Sequence, residues 1–126
     1  MTYEVVYITY FVGYSYGMLE ALFGNRTVER VLLYLQNYDQ GYAREIAKTF
    51  GVPLNAVQKQ LRRLEDGGVL VSRTVGRTRV FAWNPRYPFQ VPLRQLLEKA
   101  MEYLPEAEVQ AYYRQRKRPR RAGKPI

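Results

Sequence analysis

The sequence predicts a mainly helical fold with a small β-hairpin, which belongs to the α+β class. Apolar residues recur at helical spacing in several segments between residues 26 and 104. Two β-prone runs, residues 69–74 and 78–83, lie on either side of Gly76, which favours a tight turn. The chain has 126 residues, 47% of them hydrophobic, which is enough for one domain with a modest core.

A Tyr-rich extension occupies residues 1–20. Five of the 12 tyrosines lie there among Val and Ile, a composition that favours a strand: Tyr3, Tyr7, Tyr10, Tyr14 and Tyr16. We expect this segment to pack on its own domain or on a partner subunit. A ligand-binding aromatic cluster is one alternative. Another is that the segment precedes the native start, because Met18 could begin a complete domain.

Two helices are predicted next. Asn25 is a candidate N-cap of the first, whose apolar spacing ends near residues 36–38. The second is short, over residues 43–50, and Gly51 sits where a left-handed residue would close it. Pro53 then fixes φ at the entry to the following element.

A third helix follows, which Gly67 and Gly68 end, and its two faces differ in chemistry. The apolar face consists of Leu54, Val57, Leu61 and Leu64. The opposite face is polar and basic and consists of Asn55, Gln58, Lys59 and Arg62, with Arg63 beside it. By itself, such a face is either solvated or in contact with an anionic partner.

The predicted hairpin is rich in arginine near its tip, where Arg73, Arg77 and Arg79 lie, and Asn84 with Pro85 ends it. Pro92 is then expected to open a final helix. Its apolar stripe is long and consists of Leu93, Leu96, Leu97, Ala100, Met101 and Leu104. Because this stripe exceeds what a small domain needs, we predict a homodimer with this helix and the N-terminal segment in the interface. Further helical turns are expected over residues 106–113.

The charge of the chain is concentrated in two blocks. The net charge is +9, and the pI is about 9.9. Residues 54–86 carry 7 basic and 2 acidic side chains, and residues 114–126 carry 7 basic and none acidic. Such blocks favour an anionic partner, which could be nucleic acid, an acidic protein or a membrane surface. From Arg114 onwards the chain is expected to be a mobile tail, because it has almost no apolar content.

The composition argues against several classes of function. The absence of Cys and His excludes disulfides, thiolate chemistry and the usual zinc sites. No carboxylate pair, phosphate loop or nucleophile constellation is present, so we expect no enzyme, no cofactor and no metal. The apolar run of residues 5–12 is too short to span a bilayer, and the first basic residue is Arg26. We expect a cytoplasmic, nucleoid-associated protein with no membrane partner.

The stretch "AREIAKTFGVPLNAVQKQLRRLEDGGVLVSRTVGRTRVFAWNP", with "LFGNRTVERVLLYL" ahead of it, resembles the winged helix-turn-helix family. More narrowly, it is similar to ArsR-like and MarR-like transcription regulators. The resemblance covers about residues 21–85 and extends towards Leu104. It implies a DNA-binding domain over residues 21–90 and a dimerisation region over residues 91–113. The chain departs from the family at Pro53, which stands where the family has a capping Ser or Thr.

The resemblance implies that double-stranded DNA is the partner and that the third helix enters its major groove. The residues expected to meet base edges are Asn55, Gln58 and Lys59. Those expected to meet phosphates are Arg62 and Arg63, and the wing would bring Arg73, Arg77 and Arg79 to the backbone or the minor groove. ArsR-like regulators often sense metals through Cys and His, and this chain has neither. A small-molecule effector stays unknown.

The basic tail, residues 114–126, adds further DNA-binding candidates: Arg118, Arg120 and Arg121. The tail loosely resembles an AT-hook, with Lys124 where that motif has Arg between Gly and Pro. It is also compatible with a generic basic arm on the phosphate backbone, or with a role in solubility. For the whole chain, two alternatives to a regulator stay open. One is an architectural, chromatin-like protein with little sequence preference, and the other is a winged-helix module for protein assembly.

Overall fold

In the computed structural model, residues 17–115 are described, and they form an α+β fold of six helices and one three-stranded antiparallel sheet. The elements are α1 Glu20–Phe23, α2 Arg26–Tyr38, β1 Gln40–Gly41, α3 Ala43–Phe50, α4 Leu54–Asp66, β2 Leu70–Val75, β3 Thr78–Trp83, α5 Gln90–Met101 and α6 Glu106–Tyr112. The predictions made for residues 1–16 and 116–126 lie outside the described residues.

The ends of the first helices are set by local chemistry, as the sequence predicts. The Asn25 side chain accepts a hydrogen bond from the Val28 N–H at 2.8 Å and so caps α2. Gly51, with φ of 66°, closes α3 in the left-handed conformation. Helix α4 begins directly after Pro53, which has no side-chain acceptor to cap it. The hairpin turn has Gly76 at φ of 64°.

The sheet contains one strand that the sequence pattern did not predict. The hairpin strands pair from Leu70↔Trp83 to Val75↔Thr78, so β2 runs one residue later at each end than predicted. Strand β1 adds to the other side of β3 and gives the order β1-β3-β2. Gly41 is required there, because a Cβ at this position would lie 2.6 Å from Cε1 of the buried Tyr34.

Helix α2 forms the centre of the hydrophobic core. Its buried apolar residues are Val28, Val31, Leu32, Leu33, Tyr34 and Leu35. Helix α4 contributes Val57 and Leu61, both 0% exposed, and the hairpin contributes Leu70, Phe81 and Trp83. The indole Nε1–H of Trp83 donates to the Leu35 carbonyl at 3.1 Å, which connects the hairpin to α2.

Helix α5 differs from its prediction in bounds and in burial. It begins at Gln90 rather than Pro92, because proline is tolerated in the first turn, where N–H groups have no intrahelical partner. Of the predicted apolar stripe, only Leu97 and Ala100 are buried. Arg94 connects the helix to the core through a cation–π contact, in which its guanidinium lies 5.2 Å from the centre of the Trp83 ring.

Helix α6 returns to the corner between α2 and α3. The Tyr38 hydroxyl donates to the Tyr112 carbonyl at 2.8 Å, and Tyr112 also packs on Phe50 with a ring separation of 4.9 Å. The backbone N–H of Gln115 donates to the same Tyr38 hydroxyl at 3.0 Å. Gln115, which lies in the tail predicted from Arg114 onwards, is therefore hydrogen-bonded to α2 and α3.

Glu29 is a buried carboxyl group on α2, only 2% exposed. Its Oε2 accepts a hydrogen bond from the Leu19 N–H at 3.0 Å, while its Oε1 has no partner in the described part of the chain. Burial raises the pKa of Glu29 above its ordinary value, and the Leu19 N–H and Arg26 only partly oppose this shift. The ionised form is therefore disfavoured in the folded state.

We expect this burial to make the free energy of unfolding depend on pH. A carboxyl group whose pKa is raised by folding binds a proton more tightly in the folded state, so stability falls as pH rises from 4.5 through the raised pKa. Urea unfolding at a series of pH values should show this fall for the wild type and lose it for Glu29→Gln. The control Glu98→Gln changes an exposed residue of α5 and should retain the fall. An unchanged profile for Glu29→Gln would contradict the assignment.

Candidate nucleic-acid interface

The outer face of α4 is polar, exposed and unengaged. It consists of Asn55, Gln58, Lys59 and Arg62, all of them exposed. Within residues 17–115, none of these four side chains makes a hydrogen bond or an ion pair. The helical period separates them from Val57 and Leu61, which are fully buried on the opposite side. The face therefore presents two amides and two cations to whatever lies outside the helix.

Arg63, which was predicted beside this face, is exposed but engaged. Its Nη1 donates to Oε1 of Gln60 at 3.0 Å. Gln60 is 8% exposed, so Arg63 is held along the flank of the helix, close to the boundary of the core. The sequence pattern placed Arg63 beside the face rather than on it, but the contact with Gln60 could not be predicted from that pattern.

The hairpin is tied to the C-terminal end of α4 by contacts from both of its strands. The Ser72 hydroxyl donates to Oε2 of Glu65, and the Arg79 guanidinium lies 4.0 Å from Oε1 of the same carboxylate. Glu65 is the penultimate residue of α4. Arg79 is therefore on the side of the hairpin that faces α4, and its charge is partly compensated there.

Arg73 lies on the opposite side of the hairpin. It pairs with Val80, whereas Arg79 pairs with Thr74, and successive pairs in a strand point to opposite faces. The Arg73 Nη2 donates to Oε1 of Gln40 at 3.4 Å. Because β3 lies between β2 and β1, the Arg73 side chain crosses the central strand to make this contact.

Arg77 occupies the turn of the hairpin, next to Gly76, and is exposed. It makes no hydrogen bond or ion pair within the part of the chain that the structure describes. The three hairpin arginines thus do not form one surface. Arg77 is the one whose guanidinium has no partner among the described residues.

Two basic residues on α3 lie outside the set predicted from the sequence pattern. Arg44 and Lys48 are exposed and four residues apart, so they share one side of the helix. Ile46, Ala47 and Phe50 are buried on the other side. Arg44 and Lys48 are separated from the apolar residues of α3 by the helical period, as the cations of α4 are from its apolar face. The sequence analysis did not select Arg44 and Lys48, because the net charge of residues 1–53 is close to zero.

Other kinds of site find no support in residues 17–115. No group of three or more His, Cys, Asp or Glu side chains in this range could hold a metal ion. No helix in this range is both long and apolar enough to cross a bilayer. The candidates Arg118, Arg120 and Arg121 lie outside the described residues.

Comparison of the chain with protein-family models, curated proteins and solved structures gave no match.

Proposed function

We propose that this protein is a transcription regulator of the winged helix-turn-helix type that binds double-stranded DNA. In this proposal α3 and α4 form the helix-turn-helix, and β2 with β3 forms the wing. The observation that carries it is the outer face of α4, with four exposed polar or cationic side chains and no partners for them within residues 17–115. An amphipathic helix with such a face has the size and the donors needed in a major groove.

The proposed roles follow the position of each residue along α4. Asn55, Gln58 and Lys59 lie in its first half, which recognition helices usually present to base edges. Amides pair well with adenine, and Lys pairs with guanine. Arg62 lies further along and would meet phosphate, as would Arg63 after exchanging its contact with Gln60.

Arg44 and Lys48 extend the proposed surface onto α3. The first helix of a helix-turn-helix crosses the DNA backbone, so cations on its exposed side are suited to phosphate contacts. Contacts of this kind position the protein on the duplex without reading its sequence. They also add counterion release, which makes affinity depend steeply on salt.

The experiment that tests the proposal is selection of bound duplexes from a random-sequence pool, followed by titration of the recovered duplex. A sequence-selective regulator should yield a defined consensus. Recovery of duplexes without a consensus would favour an architectural, chromatin-like protein. Absence of DNA binding, together with co-purification of an acidic protein, would favour a winged-helix assembly module.

We also propose that the protein acts as a homodimer. The residues around α5 include several large apolar side chains that are exposed within the described chain: Phe89, Val91, Leu96 and Tyr103. Residues 87–113 carry 2 basic and 4 acidic side chains, so a symmetric contact through α5 involves little like-charge repulsion. Light scattering should give the mass of a dimer, and only monomer at high concentration would overturn this proposal.

The hairpin arginines should differ in their effects on DNA binding. We expect Arg77→Ala to weaken binding to the selected duplex by about tenfold, and to lower the slope of affinity against salt by roughly 0.9 for one phosphate contact. Arg73→Ala should weaken it less, because Arg73 already bonds to Gln40 across the sheet. The measurement is fluorescence anisotropy at several salt concentrations. A larger loss for Arg73→Ala would contradict the proposed role of Arg77.

A further inference from the structure

A small cavity lies between the N-terminal end of the described chain, α2 and the connection from α5 to α6. Its volume is about 30 Å³, which is room for about two or three water molecules. Part of its wall is apolar and includes Met18, Leu33 and Leu104. Its charged lining residues are Arg26, Glu29, Arg30 and Glu108. No described residue of α3, α4 or the hairpin lines it, so the cavity is separate from the surface proposed to bind DNA.

Glu29 brings an unpartnered acceptor to this cavity. The residue is only 2% exposed, and its Oε2 is already bonded to the Leu19 N–H at 3.0 Å. Its Oε1 is buried and has no hydrogen-bond partner in the described part of the chain, although buried polar atoms in proteins nearly always have one. Gly17 also lines the cavity and lies so close that a Cβ there would collide with Oε1. Oε1 is therefore free to accept a hydrogen bond from a small molecule in this space.

Arg26 brings an unpartnered donor to the same cavity. It precedes Glu29 by three residues on α2, so the two side chains start from neighbouring positions one helical turn apart. No ion pair joins them, and Arg26 makes no hydrogen bond within the described chain. Arg30 differs, because its guanidinium lies 5.4 Å and 5.9 Å from the ring centres of Phe50 and Tyr112. Arg26 is thus the guanidinium group of this cavity that is available to an anion.

The charges around the cavity suit a molecule that carries both signs. Two lining residues are cationic and two are anionic, so an ion of one sign would gain little from the whole set. An ammonium group is compact and has three donors, which suits the enclosed Oε1 of Glu29. Its positive charge would also offset the burial that raises the pKa of Glu29. A carboxylate group suits the guanidinium of Arg26, which can donate two parallel hydrogen bonds to it.

We propose that this cavity binds a small α-amino acid, whose ammonium group donates to Oε1 of Glu29 and whose carboxylate accepts from Arg26. The cavity has room for the ammonium group and the carbon that bears it, and Arg26 is half-buried at its edge with solvent. A single carbon separates the two charged groups of an α-amino acid, which suits two residues one helical turn apart. The proposal does not rest on DNA binding, and it can be tested without DNA.

The experiment is titration of the ¹⁵N-labelled full chain with glycine and with L-alanine at constant pH and ionic strength. The amide resonance of Leu19 is the reporter, because its N–H donates to the Glu29 carboxyl group. We expect a saturable shift of this resonance. Ethylamine lacks the carboxylate of L-alanine and propionate lacks its ammonium group. Each should bind at least about tenfold more weakly than L-alanine, since each loses one charge-assisted contact.

Two variants test the two proposed contacts separately. Glu29→Gln retains the shape of the side chain and removes its charge, and Arg26→Gln removes the guanidinium. Each should weaken binding of L-alanine at least about tenfold. Arg26→Gln breaks no hydrogen bond or ion pair within the described chain, so it remains informative if Glu29→Gln lowers stability.

The matched controls are Glu98→Gln and Arg86→Gln. Each removes the same charge as one of the two variants at an exposed position that does not line the cavity. Both should bind L-alanine as the wild type does. Gly17→Ala should abolish binding, because its Cβ would displace Oε1 of Glu29.

The outcomes either support the proposal or overturn it. A shift that saturates, and that both Glu29→Gln and Arg26→Gln weaken, supports it. Absence of a saturable shift at about 10 mM of either amino acid would overturn it, because a site with a Kd of about 1 mM would then be almost filled. Ethylamine or propionate binding as tightly as L-alanine would also overturn it, as would binding that neither variant changes. None of these results depends on whether the protein selects a DNA sequence.

Discussion

A variant with both Lys59→Ala and Arg62→Ala is expected to bind the selected duplex about 100-fold more weakly than the wild type. Both side chains are exposed on α4 and have no partner within residues 17–115, so removing them breaks no hydrogen bond or ion pair in that range. One contact to a base edge or a phosphate contributes roughly 1–3 kcal/mol, and each 1.4 kcal/mol changes affinity about tenfold. Anisotropy titration of a labelled duplex measures the loss.

The two single substitutions should differ in kind. Lys59→Ala should weaken the selected duplex more than a random duplex, because it removes a proposed contact to a base edge. Arg62→Ala should weaken both equally and reduce the slope of affinity against salt by roughly 0.9. If both variants change selected and random duplexes alike, the proposed division of α4 into base-reading and phosphate-binding halves is wrong.

Lys99→Ala is the matched control for loss of positive charge. Lys99 is exposed on α5, where its ammonium group lies 3.4 Å from the Glu102 carboxylate, and it is not part of the proposed surface. Its removal changes the net charge as much as either single substitution on α4. Affinity should therefore stay close to that of the wild type. A loss comparable with that of Lys59→Ala would show that binding follows net charge rather than the α4 surface.

The bounds of α2, α3 and α4 could be predicted because the chemistry that ends each helix is local. Asn25 caps α2, Gly51 closes α3, and Pro53 precedes α4, each within one residue of the helix it delimits. Strand β1 could not be predicted in this way. It has two residues and exists only through pairing with Ala82 and Phe81, which lie far along the chain.

In the candidate site, too, features set by local sequence could be predicted, whereas features set by tertiary contacts could not. The outer face of α4 could be predicted because the helical period alone separates it from Val57 and Leu61. The partners of the hairpin arginines could not, because Gln40 reaches Arg73 from β1 and Glu65 reaches Arg79 from α4. The sequence places three arginines on the hairpin as candidates. Only the tertiary contacts of the other two distinguish Arg77 from them.

The other large effect is expected in the core of the same helix. Leu61→Ala should lower the free energy of unfolding by about 2–5 kcal/mol, because Leu61 is 0% exposed and its truncation leaves a cavity in the hydrophobic core. The thermal midpoint should fall by at least about 8 °C for a domain of this size. Trp83 is the only tryptophan and is buried, so its fluorescence reports the transition.

Arg62→Ala, one residue further along α4, is the control that distinguishes a loss of DNA affinity from a loss of stability. Substitution of an exposed residue that has no hydrogen bond or ion pair usually changes stability by no more than about 0.5 kcal/mol. This variant should therefore unfold at the wild-type midpoint while binding DNA more weakly. If it were destabilised as much as Leu61→Ala, weaker DNA binding would only reflect unfolding. If Leu61→Ala lowers stability while Arg62→Ala lowers only DNA affinity, then α4 uses one face for the core and the other for DNA.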